Sequence, residues 1–88
     1  EQTKFFIRAY LDGDGTVDIK KKAVIVDSVN LKGLKNIDKL FNKLGIKTKF
    51  YIYKSRCRIV SKDVKKYNDI IGFVHPRKNE KLSFILNL

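Results

Sequence analysis

Along the chain, apolar residues switch between a helical period and a two-residue period, and the switches mark the expected elements. The first segment, "TKFFIRAYLDGDG", carries Phe5, Phe6, Ile7, Ala9, Tyr10 and Leu11 at helical density. Thr3 can cap its start, and Gly13 and Gly15 can stop it. Projected at about 100° per residue, Lys4, Arg8 and Leu11 fall together, while Phe5, Ala9, Phe6, Tyr10 and Ile7 sweep roughly 240°. A helix lying on one core needs an apolar stripe of about 100° or somewhat more. This helix calls for cover on two flanks: its own domain, and a second helix that Ala9 lets come close.

The pattern then turns to period two. "TVDIKKKAVIVDS" reads as a hairpin turning at Lys21–Lys22, with Val17 and Ile19 alternating against Thr16, Asp18 and Lys20. On it, Thr16, Asp18, Lys20 and Lys22 face one way, although "AVIV" has no clear alternation. "VNLKGLKNIDKLFNKLG" is an amphipathic helix with Leu31, Leu34, Ile37, Leu40, Phe41 and Leu44 at helical spacing, capped by Ser28 or Asn30 and ended by Gly45. A second hairpin, "IKTKFYIYKSRCRIVS", places Ile46, Thr48, Phe50 and Ile52 on one face and Lys47, Lys49, Tyr51 and Tyr53 on the other. On its return strand Cys57 and Ile59 oppose Arg56, Arg58 and Val60. Ser61 then caps a short helix with Val64, Tyr67 and Ile71, closed by Gly72. Pro76 starts a last helix with Leu82, Ile85 and Leu86 inward.

The order is α-β-β-α-β-β-α with one more C-terminal helix, and the α-β-β block occurs twice. The expected fold is α+β: a four-stranded antiparallel sheet with helices on one face and an open basic face, in one domain over residues 1–88. A chain of this size hides only about 60–65% of its unfolded surface, so a partner surface would help it.

Charge sharpens the picture. Lys and Arg number 20 against 9 Asp and Glu, a net +11. Between Gly45 and Lys62 lie Lys47, Lys49, Lys54, Arg56, Arg58 and Lys62, with no acid. Such clustering points to a polyanionic partner, nucleic acid foremost. The candidate contacts are Lys47, Lys49, Tyr51, Tyr53, Arg56 and Arg58 on the second hairpin, and Thr16, Asp18, Lys20 and Lys22 on the first. Lysine mostly binds phosphate and arginine can read guanine, so Arg56 and Arg58 are the candidates for sequence readout.

"DGDGTVD" invites comparison with an EF-hand loop. With Gly15 at its sixth position, Tyr10 takes the first and Lys21 the twelfth, where carboxylates are essential, so the calcium reading fails. Cys57 reads as core, and His75 as structural or incidental. A single cysteine fits a reducing compartment, expected to be the cytoplasm, with an organelle as the alternative. There is no membrane-spanning run and no secretory start. The chain opens on Glu1 rather than Met, as an excised piece of a longer protein would.

"IRAYLDGDG", Ile7 to Gly15, resembles the motif of the LAGLIDADG homing endonucleases, with Arg8 departing from the small residue at its second position. "LKGLKNIDKLFNKLGIKTK" and "IGFVHPRKNEKL" resemble segments of the intein-encoded members. The resemblance implies a LAGLIDADG-type αββαββα domain that acts as a pair: a homodimer, or two halves of a longer intron- or intein-encoded chain. It implies site-specific cleavage of double-stranded DNA across the minor groove with Mg²⁺ or another divalent cation. Asp14 would ligate the metal, and Gly13 would add its carbonyl. Lys78 would be the basic residue at the site, with Arg77 and Lys81 as rivals. Phe6, Ile7, Ala9, Tyr10 and Gly13 would meet the second motif helix. Two other readings compete: a DNA-binding regulator of this descent that has lost cleavage, and an RNA-binding splicing helper, for which the dedicated RNA-binding signatures are absent.

Overall fold

The first helix, α1 (Gln2–Asp14), runs without a loop into the first strand, β1 (Gly15–Asp18), in a computed structural model that describes residues 2–88. A Cβ on Gly15 would lie 2.7 Å from the Leu11 carbonyl oxygen, so only glycine lets the strand leave the helix this tightly. Gly13 does not stop α1 but lies inside its last turn, and Thr3 lies inside the first.

The remaining elements are β2 (Ala23–Ser28), α2 (Leu31–Lys43), β3 (Lys49–Ile52), β4 (Cys57–Ser61), α3 (Val64–Ile70) and α4 (Pro76–Leu86). The strands form one antiparallel sheet in the order β1-β2-β4-β3. This is the expected α+β architecture. Among the described residues no helix is long and apolar enough to cross a membrane.

The core lies between the sheet and the helices. Val17, Val24, Val26, Cys57 and Ile59 meet Ile7 and Leu11 of α1, Leu34, Ile37 and Phe41 of α2, and Tyr67, Phe73, Leu82 and Ile85. Burying a side chain of this size contributes about 1.5–3 kcal/mol, which fixes the register of strands with one core face. Cys57 belongs to this core, its Sγ donating to the Ser28 carbonyl at 3.2 Å. The Tyr67 ring packs between Phe41 and Phe73, at centroid distances of 6.0 and 5.1 Å. Its hydroxyl is buried with no hydrogen-bond partner among the described residues, and burial first, then Asp12, pushes its pKa above the ordinary tyrosine value.

Asn30 caps α2 by accepting from the Gly33 amide at 2.9 Å, and Gly45 ends that turn at a φ of +80° that other residues rarely adopt. Pro76 opens α4 as expected, and His75 proves to cap it, its Nδ1 accepting from the Lys78 amide.

Three local expectations are corrected. The first turn spans Ile19–Lys22 rather than centring on Lys21–Lys22, closed by Lys22 N donating to the Ile19 carbonyl, with Lys22 at a φ of 52°. Ser61 does not cap α3: it ends β4, where its hydroxyl donates to the Lys47 carbonyl at 2.8 Å and accepts from the Asp63 amide. Ile52 is 62% exposed at the end of β3, where it pairs with Cys57, rather than inward.

Candidate nucleic-acid interface and catalytic end

The sheet face opposite the helices carries Thr16 and Asp18 of β1, Ala23, Ile25 and Asp27 of β2, Arg58 and Val60 of β4, and Lys49 and Tyr51 of β3. Its centre is apolar: Ala23 and Ile25 are buried although they lie outside the main core, covered by their cross-strand neighbours. Burial on both faces explains why "AVIV" shows no alternation. Around this centre Lys20, Lys22, Lys47, Lys49, Tyr51, Tyr53 and Arg56 are exposed. Asp18 is half-buried, and its Oδ1 accepts from the Lys21 amide in the turn.

Arg58 differs from the other bases of this face. Its Nε donates to Asp27 Oδ1 at 2.6 Å and its Nη2 to Asp27 Oδ2 at 3.1 Å, a two-point contact across the β2–β4 pair. The Asp27 hydrogen bond holds the guanidinium pKa above its already high value, so the charge is permanent. Asp27 was missed in the sequence: it lies 31 residues from Arg58, and only the β2–β4 register brings the two together. The stretch without acids between Gly45 and Lys62 is thus partly neutralised by an acid from another strand.

The row Asp27–Arg58–Tyr51 follows directly after the Gly15–Val26 pair. It therefore occupies the end of the sheet where α1 delivers Gly13 and Asp14. There the two acids of "DGDG" part company. Asp12 Oδ1 accepts from the Val74 and His75 amides, both at 3.1 Å, and so fixes the segment before α4. Asp14 is exposed, and its carboxylate has no hydrogen bond or ion pair among the described residues. Lys78 reaches back from α4 and donates to the carbonyls of Leu11 at 3.0 Å and Asp12 at 2.6 Å. A cation at the C-terminal carbonyls of a helix offsets the negative end of its dipole. Of the three bases considered for this position, Lys78 is the one bonded to α1; Arg77 is exposed and Lys81 half-buried.

The outer face of α1 divides the expected contact residues. Phe6 is 52% exposed, and Ala9 and Gly13 follow it on the same line of the helix. Tyr10 is half-buried against the core. Ile7 is the correction: it is 0% exposed, seated beside Leu11 inside its own protomer, and cannot meet a second helix. Phe5 is 54% exposed, with the Lys4 and Arg8 cations 5.5 and 5.3 Å from its ring centroid. Arg8 turns toward its own domain, donating from Nε to the Ile71 carbonyl at 2.8 Å. The unusual residue of the nonapeptide thus leaves the exposed stripe clear.

Among the described residues no three His, Cys, Asp or Glu side chains converge. The carboxylate of Asp14 beside the carbonyl of Gly13 still suits a hard cation of magnesium type, which takes one or two carboxylates and keeps several waters.

Comparison with known proteins adds three findings. A family model described as a LAGLIDADG-like domain matches residues 1–72, which hold α1 to α3 and the whole sheet; α4 and Lys78 lie beyond the match. The chain is 34% identical over 93 residues to a DNA polymerase of Methanocaldococcus jannaschii, an alignment covering 91% of this chain and 6% of that protein. No solved structure matches. LAGLIDADG proteins are usually nucleases, typically use divalent metals, generally bind DNA and pair their motifs in dimers or two-domain chains. With the nonapeptide at the junction of α1 and β1 and the family model spanning most of the length, the chain belongs to the LAGLIDADG family.

Proposed function

We propose that this chain is one motif of a site-specific, divalent-metal-dependent DNA endonuclease that works as a pair of LAGLIDADG motifs, either a homodimer or two halves of a longer protein. The observation that carries the reading is the contrast between Asp12 and Asp14. One carboxylate is spent on the protomer's own backbone, while the other has no partner among the described residues at the foot of α1.

The glycine beside it supports pairing. A Cβ on Gly13 would meet nothing within 4 Å, so the lone protomer has no need of glycine there. Glycine inside a helix costs roughly 0.5–1 kcal/mol relative to alanine. Its use is understandable if a second helix approaches along Phe6, Ala9 and Gly13. Such an approach would bring two Asp14 carboxylates together at the ends of two sheets.

The residues would divide the work as follows. Lys47, Lys49, Lys20 and Lys22 would hold phosphates, and the more central Arg58 and Tyr51 would meet base edges. Asp14, with the Gly13 carbonyl, would hold a cation that polarises the phosphoryl group and makes hydroxide available near neutral pH. Lys78 would keep the last turn of α1 in place and lend positive charge beside the scissile phosphate. A match confined to 6% of a polymerase chain is what an intein-like insertion in a longer host would give.

A second reading, a DNA-binding descendant without cleavage, is favoured by the engagement of the Lys78 ammonium with two carbonyls. One experiment separates the two. The protein is incubated with a duplex DNA library in Mg²⁺, then in EDTA, then as the Asp14→Asn variant. The endonuclease reading expects double-strand cuts that need the metal and vanish in the variant while binding persists. Binding without cuts at any dose would overturn it in favour of the second reading, and preference for structured RNA would overturn both.

A further inference from the structure

We infer that Asp27 is a positioning residue: it holds the Arg58 guanidinium side-on so that the outer edge of that group reads a guanine in the major groove. The inference rests on the DNA-binding reading above. It begins from donor geometry. A guanidinium carries five N–H donors in a rigid plane. Asp27 takes two of them, one from Nε and one from Nη2. The second N–H of Nη2 and both of Nη1 remain. These lie along the edge of the group that can span O6 and N7 of guanine in a bidentate contact. The carboxylate therefore occupies the side of the fork that base reading does not use.

Position favours the same role. Both residues lie on the central strands of the sheet, at directly paired register positions, with Tyr51 opposite Arg58 on its other side. The side chains are 31% and 36% exposed, enough for a base edge to reach the free edge of the fork. A long side chain anchored through Nε has less torsional freedom left to lose on binding. Asp27 also adds discrimination by repulsion, because a carboxylate on this face disfavours a phosphate approaching Arg58. Arg56 makes a contrast: it is exposed near the end of the second hairpin, and its guanidinium has no partner among the described residues. It has the character of a phosphate contact.

The test is selection of bound sequences from a randomised duplex library by the wild-type protein, Arg58→Lys and Asp27→Asn, with the thermal midpoint of each variant measured alongside. The wild type is expected to enrich guanine at one position per motif. Arg58→Lys keeps the charge but lacks the planar fork, and should lose that preference by about 10- to 100-fold. Asp27→Asn should flatten the same position by a similar factor and leave the others unchanged. Its affinity for unrelated duplex should hold or rise, since a negative charge has left the face. An Asp27→Asn profile identical to wild type, or flattened evenly along with a lowered midpoint, would make the pair a cross-strand staple and overturn the inference. A change at a different position from Arg58→Lys would mean that Asp27 reads a base itself, which also overturns it. Enrichment of no sequence by the wild type would remove the DNA-reading premise as well, a failure recognisable before any variant is compared.

Discussion

Two glycines, two residues apart, should respond to alanine with opposite signs. At Gly15 the new Cβ would sit 2.7 Å from the Leu11 carbonyl oxygen and 3.0 Å from Leu11 Cβ and Cγ. Leu11 is wholly buried, so neither side can yield without moving α1. Overpacking of this kind costs about 1–3 kcal/mol, offset in part by about 0.4–1 kcal/mol from the stiffer unfolded chain. The net loss, about 1–2 kcal/mol, should lower the thermal midpoint by roughly 5–15 °C, since 1 kcal/mol shifts a domain of this size by about 4–8 °C. At Gly13 the Cβ meets nothing, and the backbone is not in the left-handed region. Alanine should then stabilise the lone protomer by about 0.4–1 kcal/mol, raising the midpoint by roughly 2–8 °C. Thermal unfolding followed by far-ultraviolet circular dichroism reads both. Sedimentation equilibrium of the Gly13→Ala variant should show weaker association, because the space it fills is the one a second helix needs. A stabilised Gly15→Ala, or a Gly13→Ala variant that associates as well as wild type, would refute the reasoning about this junction.

Tyr67→Phe removes a buried hydroxyl that has no partner among the described residues, so it should cost nothing and can gain up to about 1–3 kcal/mol by urea denaturation. Because the Tyr67 pKa is raised in the folded state, its contribution is fully present below the ordinary tyrosine value near 10 and is lost as pH rises above it. Wild type should therefore lose stability relative to Tyr67→Phe by up to about 1.4 kcal/mol per pH unit above about pH 10, and parallel curves would contradict this. Lys78→Met deletes two charge-assisted bonds to α1 carbonyls and should destabilise by about 1–3 kcal/mol in the same assay. DNA affinity should fall steeply with salt, and Lys47→Ala or Lys49→Ala should each reduce the slope of log K against log salt by about one.

The fold was legible because each element carried its own punctuation. Asn30 and Gly45 bracket α2, Pro76 opens α4, and Leu34, Ile37 and Phe41 repeat at helical spacing and are all buried. Illegible were the features set by long-range register. Nothing near Asp27 in sequence reveals Arg58, and Ile25 hid the open face because a central strand is covered on both sides. Ile7 shows the limit of a helical projection: a wide apolar arc reveals that two surfaces exist, but packing decides which residue serves which. The partner of Asp12 was hidden for the same reason, since the loop at Val74 and His75 that claims its carboxylate arrives from the far end of the chain.

The most direct measurement uses a duplex carrying the site recovered from the cleavage library and assemblies that combine one wild-type motif with one Asp14→Asn motif. If each Asp14 serves one strand across a shared helix interface, mixed assemblies in Mg²⁺ should accumulate duplex nicked in one strand, while wild-type pairs cut both strands and doubly substituted pairs cut neither. Linear product from the mixed assemblies at the wild-type rate would contradict the account, because one carboxylate would then suffice for both strands.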